Sequence, residues 1–168
     1  MRGVDTYISL DYYLVMLILK SDTFTLIANA GEKAYPQECC GLLAGKKEWH
    51  GHCEATSFRV SAIVPMRNHV ASAVLDRYLI DPAERSLAEE KICQDGMELV
   101  GFYHSHPDHD AYFSKTDLEN SEEYQFGTPW LPPTYAYLVL SVKEGKAGDF
   151  AAFIIKEGKT EKIEVQVG

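Results

Sequence analysis

The chain has no basic block, no long apolar run, no paired cysteine motif and no internal repeat. Sixteen Lys and Arg stand against twenty-five Asp and Glu, giving a formal net charge of -9 and a pI near 5.1. That balance repels phosphate backbones and anionic lipid surfaces, so neither a nucleic acid nor a membrane is expected as a partner. The longest apolar run, residues 12–19, is too short to cross a bilayer and follows Asp5 and Asp11 rather than basic residues. It reads instead as a strand covered on both faces. Four cysteines occur, Cys39, Cys40, Cys53 and Cys93, without CxxC spacing. Four reduced thiols in a cytoplasmic protein are the expectation. With no linker or low-complexity segment, residues 1–168 are expected to be one domain, with 1–11 as a flexible N-terminal extension.

What is present is a series of short strands interrupted by a few helices. Ser21 or Asp22 offers a helix N-cap, Phe24, Ile27, Ala28 and Gly31 follow at helical spacing, and Pro36 stops the run. Residues 38–45 read as a short buried strand ending in a glycine turn, 49–56 as a polar hairpin, and 58–64 as a strand ended by Pro65. Asp81-Pro82-Ala83-Glu84 is the clearest helix start, with Ala83, Leu87, Ala88 and Ile92 as its inward stripe and Gly96 as its cap. Residues 97–103 form a strand, and a second helix runs from Ser114 to about Tyr124. A proline-bearing loop with Trp130 leads to three strands, over 135–142, 149–156 and 162–167, as a closing meander. The expected class is α+β with a mixed sheet.

Chemistry concentrates after the strand at 97–103. His104 and His106 are alternate residues, so a strand turns both imidazoles to one face. Asp117 can be brought back to the same point by the intervening loop, and two imidazoles with a carboxylate are a catalytic zinc ligand set that leaves one position open. Ser114-x-x-Asp117 is equally the pattern of a helix capping box, and spacing alone does not separate the two readings. If both hold, Ser114 keeps a hydroxyl facing the site. Glu38 is the candidate base, because a carboxylate opening an apolar strand needs a reason. His50, His52 and Cys53 form a small cluster that reads as a solvated loop, and His109, between Asp108 and Asp110, as solvated or at a cleft rim. Cys40 reads as a small core residue, with a site-lining role left open by its position near Glu38.

Glu38, His104-Ser-His106-Pro, seven residues to Ser114, and Ser114-x-x-Asp117 together resemble the JAMM (MPN-plus) metalloprotease signature without departure. The flanks, Tyr35-Pro-Gln-Glu38-Cys-Cys-Gly-Leu-Leu-Ala-Gly45 and Val100-Gly-Phe-Tyr-His104, resemble the small bacterial single-domain members. The resemblance spans residues 12–156. It implies one Zn²⁺ held by His104, His106 and Asp117, Glu38 as base and then acid, and Ser114 as donor to the water or oxyanion. It also implies a curved mixed sheet flanked by helices in a cytidine-deaminase-like arrangement. The implied substrates are peptide or isopeptide bonds after the C-terminal glycine of ubiquitin-like proteins, including sulfur carriers of the ThiS or MoaD kind. An extended Gly-Gly tail would add along a sheet edge beside the metal. The alternatives are a same-fold amide hydrolase for other small peptides and a non-catalytic MPN-like scaffold. Deamination is excluded by the lack of a PCxxC ligand arrangement. Oligomeric state is left open, a dimer included, as is closure of the 108–113 loop over substrate.

Overall fold

A computed structural model describes residues 14–50, 54–70, 76–128 and 130–168, with His50 and Glu54 in backbone only. The expected N-terminal extension, His52 and Cys53 lie outside the described residues. The elements run β1 (Met16–Leu19), α1 (Ser21–Ala34), β2 (Cys40–His50), β3 (Glu54–Met66), α2 (Pro82–Gln94), β4 (Glu98–Pro107), α3 (Lys115–Asn120), α4 (Glu122–Gln125), β5 (Ala136–Lys143), β6 (Lys146–Lys156) and β7 (Lys159–Val167). This is α+β with a mixed sheet, as expected. The strands pair in the order β1-β3-β2-β4-β5-β6-β7 and close into a barrel, because β1 lies parallel to both β3 and β7. Closure removes most of the free sheet edge anticipated for a tail. Residues 61–66 of β3 keep one unpaired flank among the described residues, since β1 reaches only as far as Val60.

Several local expectations are corrected. Among the described residues of the apolar run, four are strand, of which Leu17 and Leu19 are buried and Met16 and Ile18 half-buried, so one face of that strand is covered rather than two. Leu14 is exposed. Gly45 does not end a strand. It sits at a register shift within β2, where an added Cβ would lie 1.8 Å from the Arg59 carbonyl oxygen, so the glycine permits a close crossing of β3. Pro65 does not end β3 either: it pairs with Gly41, and its missing N–H costs nothing on the unpaired flank.

On α1, Lys20 rather than Ser21 or Asp22 occupies the N-cap, without a side-chain cap. Asp81 does cap α2, accepting from the Ala83 and Glu84 amides at 2.9 and 3.0 Å. The inward stripe of α2 differs from the one expected: Ile92 is buried and Ala88 half-buried, but Leu87 and Ala83 face solvent. The helix beginning after Ser114 breaks at Ser121 into α3 and α4.

Strand alternation sorts the core into two layers. Tyr103 joins Leu43, Leu138 and Ile27 of α1 on one face, while Phe102, Leu42, Tyr137 and Ile92 of α2 pack on the other. His104 shares the face of Phe102. The histidines therefore emerge on the α2 side, at the carboxyl end of a central strand paired with β2 as far as His104 and with β5 from Gly101 to Pro107.

Candidate metal centre

β4 extends through Pro107, so His104, Ser105 and His106 are strand residues. His104 lies opposite Cys40 of β2 and Val139 of β5, and all three are buried. The two imidazole Nε2 atoms stand 3.1 Å apart. Asp117 of α3 places Oδ1 3.4 Å from His104 Nε2 and Oδ2 3.3 Å from His106 Nε2. Two donors each about 2.0–2.1 Å from a tetrahedral metal lie about 3.3 Å apart, so the two imidazole nitrogens and the Asp117 carboxylate, which meets each of them through a different oxygen, stand close to the spacing such an ion needs.

The protonation states agree with that reading. His106 Nδ1 donates to the Asp110 carbonyl at 3.2 Å, which assigns its proton away from the site and leaves Nε2 as a lone-pair donor. Burial holds His104 below its usual pKa against the pull of Asp117, keeping a neutral imidazole. Burial alone would raise Asp117, but His104, His106 and the Ser114 amide hold it far below the usual carboxylate range.

Asp117 is both cap and ligand candidate. Its Oδ2 accepts from the Ser114 amide at 2.7 Å while its own amide donates to Ser114 Oγ at 3.0 Å, a complete capping box. The two readings that spacing left open are thus one arrangement. Ser114 Oγ accepts within the box and retains its proton to donate.

Glu38 precedes β2. The pairing of Cys40 with His104, extended two residues, turns Glu38 to the histidine face. It is 4 % exposed and its Oε2 has no hydrogen-bond partner. Burial, with the charge of Asp117 second, pushes its pKa up to about 9. An orphaned carboxylate oxygen beside three converging donors is the place for a water shared with a metal, and together these groups fit a catalytic zinc.

The remaining candidates fall elsewhere. His109 is exposed and contributes only its carbonyl, which accepts from Ser141 Oγ at 2.6 Å. Cys40 faces the site side but is a buried thiol with its pKa pushed up to about 12 by burial, and it donates weakly to the Met66 carbonyl at 3.7 Å. It lines the site without being a nucleophile. Cys39, Cys40 and Cys93 are free thiols. The loop after His106 is anchored along its first half. Asp108 accepts from Tyr35 Oη and the Glu144 amide, both at 2.9 Å, and Lys143 Nζ meets Asp110 at 2.6 Å. That portion fixes His106 rather than closing over it.

Two residues were missed from sequence. Ser105, fully buried between the histidines, accepts from the Cys39 amide at 2.8 Å and so fastens the strand that carries Glu38. The alternation that aims the histidines one way aims Ser105 the other, so its role was in principle readable. Tyr78 lies in an irregular segment with no periodic signal, yet its ring packs 4.8 Å from that of His104. Tyr112 packs 5.0 Å from His106, so each candidate ligand ring has a tyrosine against it.

The chain is similar to known proteins along most of its length. It is 37 % identical over 120 residues to a desampylase of Haloferax volcanii, covering 70 % of this chain and 73 % of that one. It is 26 % identical over 153 residues to a CysO-cysteine peptidase of Mycobacterium tuberculosis, covering 90 % and 91 %. A solution structure of a Desulfitobacterium hafniense protein shares the fold with a TM-score of 0.71 at 23 % identity, over 91 % of this chain and 93 % of that one. A family model, prokaryotic homologs of the JAB domain, matches residues 20–154, from the residue before α1 to Ile154 of β6. By that match, which takes in all five residues of the candidate centre, the chain belongs to this family.

Proposed function

We propose that this chain is a zinc-dependent metallopeptidase that hydrolyses peptide or isopeptide-type bonds at the C-terminal glycine tail of a ubiquitin-like or sulfur-carrier protein. The observation that carries it is the orphaned Glu38 Oε2 beside the donors of His104, His106 and Asp117. One Zn²⁺ per chain would be held by those three residues. When bound it supplies a Lewis acid for the scissile carbonyl and acidifies a water. Glu38 takes the proton of the attacking water and returns it to the leaving nitrogen. Ser114 donates its free hydroxyl proton to the oxygen that gains charge. His106 is held in one tautomer by Asp110, and the buried β4 keeps both rings in register, so the site does not reorganise during the reaction.

The substrate class is supported by the names of the two relatives, a desampylase and a CysO-cysteine peptidase. An extended tail without side chains suits a site whose histidines are packed by the rings of Tyr78 and Tyr112. The unpaired flank at 61–66 is a place for main-chain pairing, since Met66 is separated from His104 by β2 alone. A cytoplasmic location is part of the same proposal. So is the cytidine-deaminase-like arrangement, supported by helices packed on both faces of a mixed sheet.

The test is cleavage of carrier–cysteine and carrier–peptide fusions by the zinc-loaded protein and by Glu38→Gln. Loss of general acid–base catalysis is expected to lower kcat by about 10²–10⁴ with zinc content unchanged. Equal rates for both proteins would sink the assignment. Cleavage of short peptides but not of carrier tails would favour the amide-hydrolase alternative, and retention of carrier without turnover the scaffold.

A further inference from the structure

Glu38 Oε2 has no hydrogen-bond partner among the described residues, so the hold on the Glu38 backbone bears directly on the aim of that oxygen. Two contacts hold that backbone from either side. Ser105 Oγ accepts from the amide of Cys39 at 2.8 Å, and the carbonyl of Glu38 itself accepts from Asn68 Nδ2 at 3.2 Å. Asn68 has further duties. Nδ2 also donates to the Arg77 carbonyl at 3.3 Å, while Oδ1 accepts from the amides of Val70 at 3.0 Å and Leu79 at 3.1 Å. Both donors and both lone pairs of the amide are used. The orientation of the group is fixed by that chemistry, since two carbonyls face the nitrogen and two amides face the oxygen.

The contacts at Arg77 and Leu79 bracket Tyr78, whose ring packs against His104. The backbone adds a bond from the His69 amide to the Leu79 carbonyl at 2.9 Å, which holds the same segment beside residue 68. One side chain therefore ties the strand entry carrying the base to the irregular segment carrying the aromatic wall of a metal-ligand candidate. Among the described residues no regular element performs that connection. Residues 67–70 and 76–80 are neither helix nor strand, and β3 ends at Met66.

We infer that Asn68 is a positioning residue for the reaction, setting Glu38 and, through Tyr78, the ring of His104 in a single mutual geometry. This rests on the proposed hydrolytic reading for its kinetic arm but not for its spectroscopic one. Asn68→Asp is the sharp variant. It has the same shape and keeps both acceptor contacts, but it turns the two donor contacts into oxygen facing carbonyl oxygen. Asn68→Ala removes all four contacts without that repulsion, and serves if the aspartate variant does not fold.

Two measurements are made on folded protein. In the Co²⁺-substituted protein, either variant is expected to shift the visible ligand-field bands, and Tyr78→Leu to shift them in the same direction. Affinity for the ion, measured by chelator competition, is expected to stay within about threefold, because the ligands lie on β4 and α3. On a carrier-tail fusion, kcat is expected to fall at least tenfold with KM changed less than threefold, a split that general loosening does not give. Unshifted bands together with wild-type kcat in a folded variant overturn the inference, as does a rate loss that tracks loss of metal alone. If the wild type cleaves no carrier fusion, the substrate reading fails while the cobalt bands still decide on Asn68.

Discussion

At the scale of single residues, Asp117 is a helix cap and a metal-ligand candidate, and the two roles have different requirements. The cap needs an oxygen to accept from the Ser114 amide, whereas the metal needs charge. Asn at this position supplies the first and not the second. Asp117→Asn is therefore expected to keep the thermal stability of the metal-free protein within the ~1 kcal/mol that a cap is worth. Its zinc affinity is expected to fall at least tenfold. Chelator competition and thermal melts on metal-free protein measure the two separately, and a large stability loss with unchanged zinc affinity would invert the assignment. The cysteines illustrate the opposite case. Cys39 and Cys40 adjoin Glu38, yet burial pushes their pKa values up to about 11 and about 12, so proximity gives them no reactivity.

At the scale of elements, the aim of the histidines depends on how closely β4 can lie to its neighbours. Gly101, three residues before His104, pairs with Ala136 of β5 and Leu43 of β2. An added Cβ there would sit 1.9 Å from the Ala136 carbonyl oxygen, a backbone atom that no rotamer change can move. Gly101→Ala is expected to separate β4 from β5 and cost several kcal/mol, in the range of overpacked cores. A chemical-denaturation midpoint close to that of the wild type would show that the strands can part without cost. The same element explains why the paired-histidine motif can sit in a strand interior. β5 pairs with His104 through His106, β2 pairs with His104, and the Cys39 carbonyl accepts from the Ser105 amide, so the side chains carry no structural burden beyond their own aim.

At the scale of the whole molecule, one buried carboxylate outside the candidate centre governs how stability responds to pH. Glu123 is 4 % exposed and accepts from Thr134 N, Thr134 Oγ1 and Tyr137 Oη, joining α4, the loop before β5 and β5 itself. Burial raises its pKa above 4.5 despite those donors. A carboxyl with a raised folded-state value contributes stability that is complete below 4.5 and is lost as pH rises through the folded value. Relative to Glu123→Gln, which stays neutral, the wild type is therefore expected to lose stability as pH rises above 4.5 and through the raised folded-state value. Urea unfolding of both proteins across that interval tests the sign, and a wild type that gains on the variant with rising pH contradicts it.

The sequence by itself singled out the candidate ligand set and the candidate base, and determined the cap on α2 and the mixed α+β class, because each rests on short-range rules. Alternation aims His104 and His106 together, and Ser114-x-x-Asp117 is one helical turn. Those rules do not reach across the chain. The closure of the sheet, the passage of β2 through Gly45 and of β3 through Pro65, and the solvent exposure of Leu87 are all set by which strand lies alongside. A local pattern carries no trace of that. Asn68 and Tyr78 were invisible for the same reason, since an irregular segment has no period from which to read a direction. Only the tertiary structure decided that Asp117 is cap and ligand candidate at once, because that requires a strand end and a helix start, separated in sequence, to meet within hydrogen-bond distance.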